Sequence, residues 1–160
     1  MFHKNLRCPV DLNFDELINI DLNRANRRLQ RLLYREVLEP AGFSVQEWRA
    51  LLNLAKHGPC HIRELARAST LDATQLSRAA ARLQKRGLVL SKSDAGDARR
   101  KILVVSPAGE KVVADIWPKA IAFSGRIRDA LGAGEYQALQ RALKRVREIE
   151  PQTRNKIAAE

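Results

Sequence analysis

From Phe14 to Val37 the apolar residues Ile18, Leu22, Ala25, Leu29 and Leu32 alternate spacings of four and three. That pattern predicts an amphipathic helix with an a/d-like seam suited to packing against another helix. The segment EPAGFS breaks it, and Ser44 with Glu47 reads as a capping box opening a second helix that buries Trp48, Leu51, Leu52 and Ala55. KHGPC is a turn, and HIRELARAS predicts a short helix with Ile62, Leu65 and Ala66 inward. In STLD, Asp72 caps the next helix, with Gln75 three residues on. That helix carries Leu76, Ala79, Ala80 and Leu83 on one face and runs to Arg86, with Gly87 where a left-handed residue is expected. LVLSK and KILVVS, joined by SDAGDARR, predict a hairpin. Ser106-Pro107 restarts helix. The helix runs through Val112, Val113 and Ile116 to Pro118, which is expected to kink or split it. LGAG interrupts, and a last helix shows Tyr136, Leu139, Leu143, Val146 and Glu150, largely at seven-residue spacing.

The order is four helices, a hairpin and two helices. Two short helices joined by a tight turn and followed by a hairpin describe a winged helix-turn-helix. The expected fold is therefore mainly α with a small β-hairpin wing and long flanking helices, whose excess length dimerisation would explain. The boundaries read as an N-terminal arm over 1–13, a helical dimerisation region over 14–43 and 107–150, a winged helix-turn-helix over 44–106 and a C-terminal tail over 151–160.

Charge then narrows the partners. The 160 residues carry a net charge of +11, which favours nucleic acid, an anionic membrane surface or an acidic protein. No apolar run reaches the length of a membrane span, and the N-terminus lacks an apolar signal core, so a cytoplasmic protein is expected. Two cysteines, Cys8 and Cys60, make no disulfide framework. With three histidines and no G-x-S-x-G, P-loop or H-E-x-x-H, no catalytic constellation is assembled, and an enzyme is not expected. No cofactor or metal is expected either. HGPCH brings His57, Cys60 and His61 together, but a turn leading into a helix gives the three side chains no reason to converge.

Between His61 and Lys101 stand ten basic residues (Arg63, Arg67, Arg78, Arg82, Lys85, Arg86, Lys92, Arg99, Arg100 and Lys101) against Glu64, Asp72, Asp94 and Asp97, a net +6. More than half of the excess charge sits in about a quarter of the chain, on the helix-turn-helix, as a phosphate-neutralising footprint would. In such a motif the second helix enters the major groove, which would turn Thr74, Gln75, Ser77, Arg78 and Arg82 to the DNA. Arginine can take guanine O6 and N7, glutamine can pair with adenine, and threonine offers a methyl to thymine. From the hairpin loop, Arg99 and Arg100 would reach a narrow minor groove, with Asp97 shaping the loop. A non-specific architectural DNA binder and a basic adaptor for acidic proteins remain open as alternatives on charge alone.

The stretch RELARASTLDATQLSRAAARLQKRGLVLSKSDAGDARRKILVVSPAGEK resembles the MarR (multiple antibiotic resistance regulator) family. It shares a leucine-alanine helix, a recognition helix ending in L-x-K-R-G-L-V, a D-x-R wing and a T/S-x-x-G restart. It departs at His61 and Gly132, where Ser or Thr is usual, and at the small Ala79, Ala80 and Ala81. The resemblance, spanning roughly residues 14–150, implies a homodimeric transcriptional repressor on double-stranded DNA with a pseudo-palindromic, inverted-repeat operator. It also implies release by a small aromatic or anionic effector, in a pocket expected near Arg28, Leu29, Tyr34, Trp48 and Ile116. Redox-sensing relatives use a cysteine near the N-terminus, which makes Cys8, beside Lys4 and Arg7, a candidate thiolate and a redox-sensing regulator a further alternative.

Overall fold

A computed structural model describes residues 17–69, 71–94, 96 and 100–150. The chain divides into two compact units, Met1–Ala120 and Ile121–Glu160. The first holds α1 (Ile18–Leu33), a π-helical turn (Tyr34–Leu38), α2 (Val45–His57), β1 (Cys60–His61), α3 (Ile62–Ala68), α4 (Ala73–Lys85), β2 (Val89–Ser93) and β3 (Lys101–Val105). It also holds the start of α5 (Pro107–Leu131), whose end lies in the second unit with α6 (Ala133–Arg147). The fold is mainly helical, with one antiparallel sheet in the order β1-β3-β2.

The first unit is built around leucines. Leu51 and Leu54 of α2, Leu65 of α3, and Leu76 and Leu83 of α4 are all buried, and α2, α3 and α4 pack on one another in pairs. The periodic face read from the sequence is thus the core face of α4. In α2 the stripe differs from expectation: Leu54 is buried, Leu52 half-buried and Ala55 exposed. Leu52 and Ala55 instead line a cleft of about 580 Å³ with Val113 and Trp117 of α5.

Local rules set the element ends. Ser44 accepts the N–H of Glu47 at 3.2 Å while the Glu47 carboxylate accepts the backbone N–H of Ser44 at 3.0 Å, a closed capping box. Gly87, at φ 70°, ends the helix-turn-helix in the left-handed region that suits glycine. Ser106 accepts the N–H of Gly109 at 3.0 Å and donates its hydroxyl to the Gly87 carbonyl at 2.7 Å. A Cβ at Gly109 would run into the Leu88 carbonyl and stand 2.8 Å from Val105 Cγ1. The S-P-A-G restart therefore caps α5 and lets its first turn lie directly on the strand leaving α4.

Three further expectations change. The first helix does not continue as regular α-helix to Val37: the Glu39 N–H reaches the Tyr34 carbonyl at 2.7 Å, five residues back. The wider turn advances the phase, so that Val37 and Leu38 are buried although no residue of α1 is. Pro118 does not split α5, which is continuous over 25 residues. Proline removes the N–H that would meet the Ala114 carbonyl, but both residues are exposed, so water can serve that oxygen. Finally, the wing has a third strand: Cys60 and His61 pair with Leu103 and Ile102.

Candidate nucleic-acid interface

Helix α4 is anchored at its start by Asp72, whose carboxylate accepts the Gln75 N–H at 2.8 Å. Its sequence contains no acid, and Thr74, Gln75, Ser77, Arg78 and Arg82 are all exposed. They do not point the same way. At about 100° per residue, Thr74, Arg78, Ala81 and Lys85 run down the middle of the exposed arc, with Ser77 on one edge and Gln75 and Arg82 on the other. The surroundings agree: Gln75, Arg78 and Arg82 line a shallow cleft with Gln46 of α2, while Ser77 and Ala81 line another with Ser91 and Lys101 of the wing. Lys85, which belongs to the central row, enters the sequence reading only in the charge count, although its i+7 relation to Arg78 and i+11 relation to Thr74 place it there. Gln46 stands about thirty residues upstream and carries no local signal.

The arginine just past this helix belongs to the fold instead. Arg86 donates to the Gly42 carbonyl at 3.0 Å, lies 3.5 Å from Glu47 Oε1, and stacks its guanidinium 3.9 Å from the centre of the Phe43 ring. Burial pushes the Glu47 carboxyl up, but hydrogen bonds from Ser44 and the charge and N–H of Arg86 more than offset it, leaving the pKa below the ordinary carboxylate value.

In the wing, β2 and β3 pair from Val89↔Val105 to Ser93↔Lys101, and the loop closes through the Asp94 N–H on the Arg100 carbonyl at 3.1 Å. The Asp94 carboxylate accepts the Gly96 N–H at 2.8 Å. Arg100 is exposed at the mouth of this loop; Asp97 and Arg99 lie outside the described residues. His61 faces the loop base: its Nε2 is 2.8 Å from Asp94 Oδ2 and its Nδ1 3.0 Å from the Lys101 carbonyl oxygen. Among the described residues no three His, Cys, Asp or Glu side chains form a metal-holding group. Burial, with the charge of Glu64, pushes the Cys60 thiol up, the opposite of an activated thiolate. Cys8 lies outside the described residues.

Of the residues expected near an effector, Trp48 and Ile116 are buried core at 3% and 2% exposure, while Arg28, Leu29 and Tyr34 are exposed. Tyr34 lines a cleft of about 290 Å³ with Arg27, Gln30, Arg31 and Val45. Two guanidiniums, a phenol and an apolar floor there suit a small anion with an aromatic body.

Residues 41–100 match the MarR family model. The HTH-type transcriptional regulator FarR of Neisseria gonorrhoeae is 29% identical over 133 residues, spanning 83% of this chain and 90% of that protein. The HTH-type transcriptional repressor NicR of Pseudomonas putida is 28% identical over 138 residues, 86% of this chain and 85% of that protein. Among solved structures, NadR in complex with 4-hydroxyphenylacetate is similar at a TM-score of 0.68 and 29% identity, over 83% of this chain and 94% of that one.

Proposed function

Because the chain belongs to the MarR family of winged helix-turn-helix transcriptional regulators, which are not enzymes, we propose that it works as a homodimeric repressor on an inverted-repeat operator. The carrying observation is the acid-free exposed face of α4, centred on Thr74, Arg78 and Lys85, on a helix whose opposite face is fixed in the core. Its central row would enter the major groove, and Arg100 with the rest of the wing loop would approach the flanking minor groove.

Dimerisation is supported by two helices that carry no buried residue among the described residues. Neither α1 nor α6 contains a buried residue, and Ile18 and Leu29 of α1 are 67% and 39% exposed, Leu139 and Val146 of α6 42% and 46%. A second copy covering these seams would assign residues 14–43 and 107–150 to the dimer region. Two α4 helices would then have to sit about 34–36 Å apart, one helical turn of DNA.

For release, the Arg27–Arg31–Tyr34 cleft is the proposed effector site, with Arg28 and Leu29 on the same helix. The ligand class is a small aromatic carboxylate or phenol, as NadR at 29% identity holds 4-hydroxyphenylacetate. Such a ligand would derepress by binding better to the state whose two reading helices miss the half-site spacing.

Selection from a random-sequence duplex pool at near-physiological salt tests the reading. The expected outcome is an enriched inverted repeat with half-sites about ten base pairs apart. Retained binding with a featureless pool would replace the operator reading with an architectural one, and no binding under any condition would overturn both.

A further inference from the structure

His61 is the last residue of β1 and the residue at which the helix-turn-helix begins, its own N–H held by the Glu64 carboxylate at 2.9 Å. Its ring lies between two acceptors. The Lys101 carbonyl, 3.0 Å from Nδ1, can only accept, and so can an ionised Asp94, 2.8 Å from Nε2. Asp94 is kept ionised: the Gly96 N–H first, against partial desolvation, then His61 and the charge of Arg100 hold its carboxyl below the usual range. A neutral imidazole has one N–H and leaves a lone pair facing one of these oxygens. Both contacts can be hydrogen bonds only when the ring is an imidazolium.

We propose that His61 is a proton-dependent latch that positions the wing, so that DNA affinity rises as the ring gains its second proton. Asp94 follows the last residue of β2 and Lys101 opens β3, so the ring ties both strands of the wing, at the mouth of its loop, to the residue that caps α3. The side chains of His61 and Asp94 are only 15% and 21% exposed, which shields the pair from solvent. Of the charged residues on the elements packed here, Asp94 faces Nε2, Lys101 offers its carbonyl to Nδ1, Glu64 of α3 holds the backbone N–H, Arg100 acts on Asp94, and Lys92 of β2 stands at the same rung across Ile102. Glu64 is occupied with the His61 backbone N–H, and Lys101 Nζ with Ser93 Oγ at 3.3 Å. Asp94 is therefore the anion at the ring, and loss of the ring proton removes the attraction and one of the two bonds. The latch rests on the DNA-binding reading for its consequence but not for its existence.

Two measurements separate these. In the whole 160-residue chain, NMR of the three histidine rings between pH 5 and 8.5, with His61→Gln assigning the signal, is expected to show the Gly96 and Ile102 amides shifting at the same midpoint as the His61 ring. Amides that stay still, or move only in the carboxylate range, would overturn the latch whether or not the protein binds DNA. Fluorescence anisotropy on the enriched duplex is then expected to show wild-type binding weakening roughly five- to ten-fold from pH 6 to 8, and a flatter profile in His61→Gln and Asp94→Asn. Parallel pH profiles in all three proteins would overturn the control of DNA affinity. Absence of binding at every pH would instead defeat the DNA-binding reading, with the NMR titration still deciding the latch.

Discussion

Arg78 and Arg86 stand eight residues apart on and just beyond α4, and the structure gives them opposite fates. Arg78 lies in the central exposed row, and among the described residues no ion pair holds it. Truncation to alanine should leave stability within about 0.5 kcal/mol of wild type, as for exposed helix positions generally. If it reads a base, operator affinity should fall by ~1–3 kcal/mol and sequence preference relax at one position of each half-site. Arg86→Ala removes a charge-assisted hydrogen bond to the Gly42 carbonyl, a cation–π contact with Phe43 and the partner of Glu47, whose side chain is only 10% exposed. A charge-assisted bond is worth ~1.5–3 kcal/mol and an exposed cation–π pair ~0.5–1 kcal/mol. With the Arg86 side chain 35% exposed, solvent screening discounts both, and a net loss of about 1–3 kcal/mol of folding stability is expected. Urea denaturation and anisotropy on the enriched duplex, run on both variants, give the assay. If Arg86→Ala relaxes sequence preference without lowering the urea midpoint, or Arg78→Ala unfolds the protein without changing specificity, the division of α4 into a reading row and an anchoring edge is wrong.

Other outcomes follow from the same packing. Gly109→Ala drives a Cβ into the Leu88 carbonyl and Val105 Cγ1, both parts of the fixed core edge, and should cost at least ~2 kcal/mol in thermal or chemical denaturation; a variant as stable as wild type would refute the close approach. Glu47 has a folded pKa below its unfolded one, so its contribution is whole above the unfolded value, ~4.3, and is lost as pH falls through the folded value. Glu47→Gln should therefore destabilise by about 1–2 kcal/mol at pH 7 and converge with wild type toward pH 3 in denaturation midpoints; a gap independent of pH would remove the charge from the explanation. Leu139→Glu with Leu143→Glu places charges on the exposed apolar seam of α6 and should weaken the proposed dimer at least ~ten-fold in sedimentation; an unchanged dimer would place the interface elsewhere, and a monomeric wild type would overturn the dimer itself.

What could be read in advance was whatever a local rule decides. Ser44 with Glu47, Asp72 with Gln75, Gly87, and Ser106 with Gly109 each close a hydrogen bond or a left-handed turn within a few residues, and each stands where the pattern put it. The core face of α4 followed from its period alone. What escaped depends on partners distant in sequence. A two-residue strand has no period, and β1 exists only because β3, about forty residues on, presents an edge to Cys60 and His61. The π-helical turn rephases a helix whose apolar seam looked continuous, because burial of Val37 and Leu38 outweighs regular winding there.

The same distinction corrects the charge argument. Ten basic residues between His61 and Lys101 count equally in a sum, and a sum treats each as a phosphate contact. Position divides them. Arg86 gives Nη1 to the Gly42 carbonyl and Glu47 and lays its guanidinium over Phe43, about forty residues upstream, so the fold holds it in place. Lys85, its chain neighbour, is turned by one residue into the middle of the exposed arc, where the proposed DNA footprint would include it. Each phosphate neutralised adds about 0.9 to the slope of log affinity against log salt. Removing Lys85 should therefore flatten that slope and removing Arg86 should not, although composition gives the two residues the same weight.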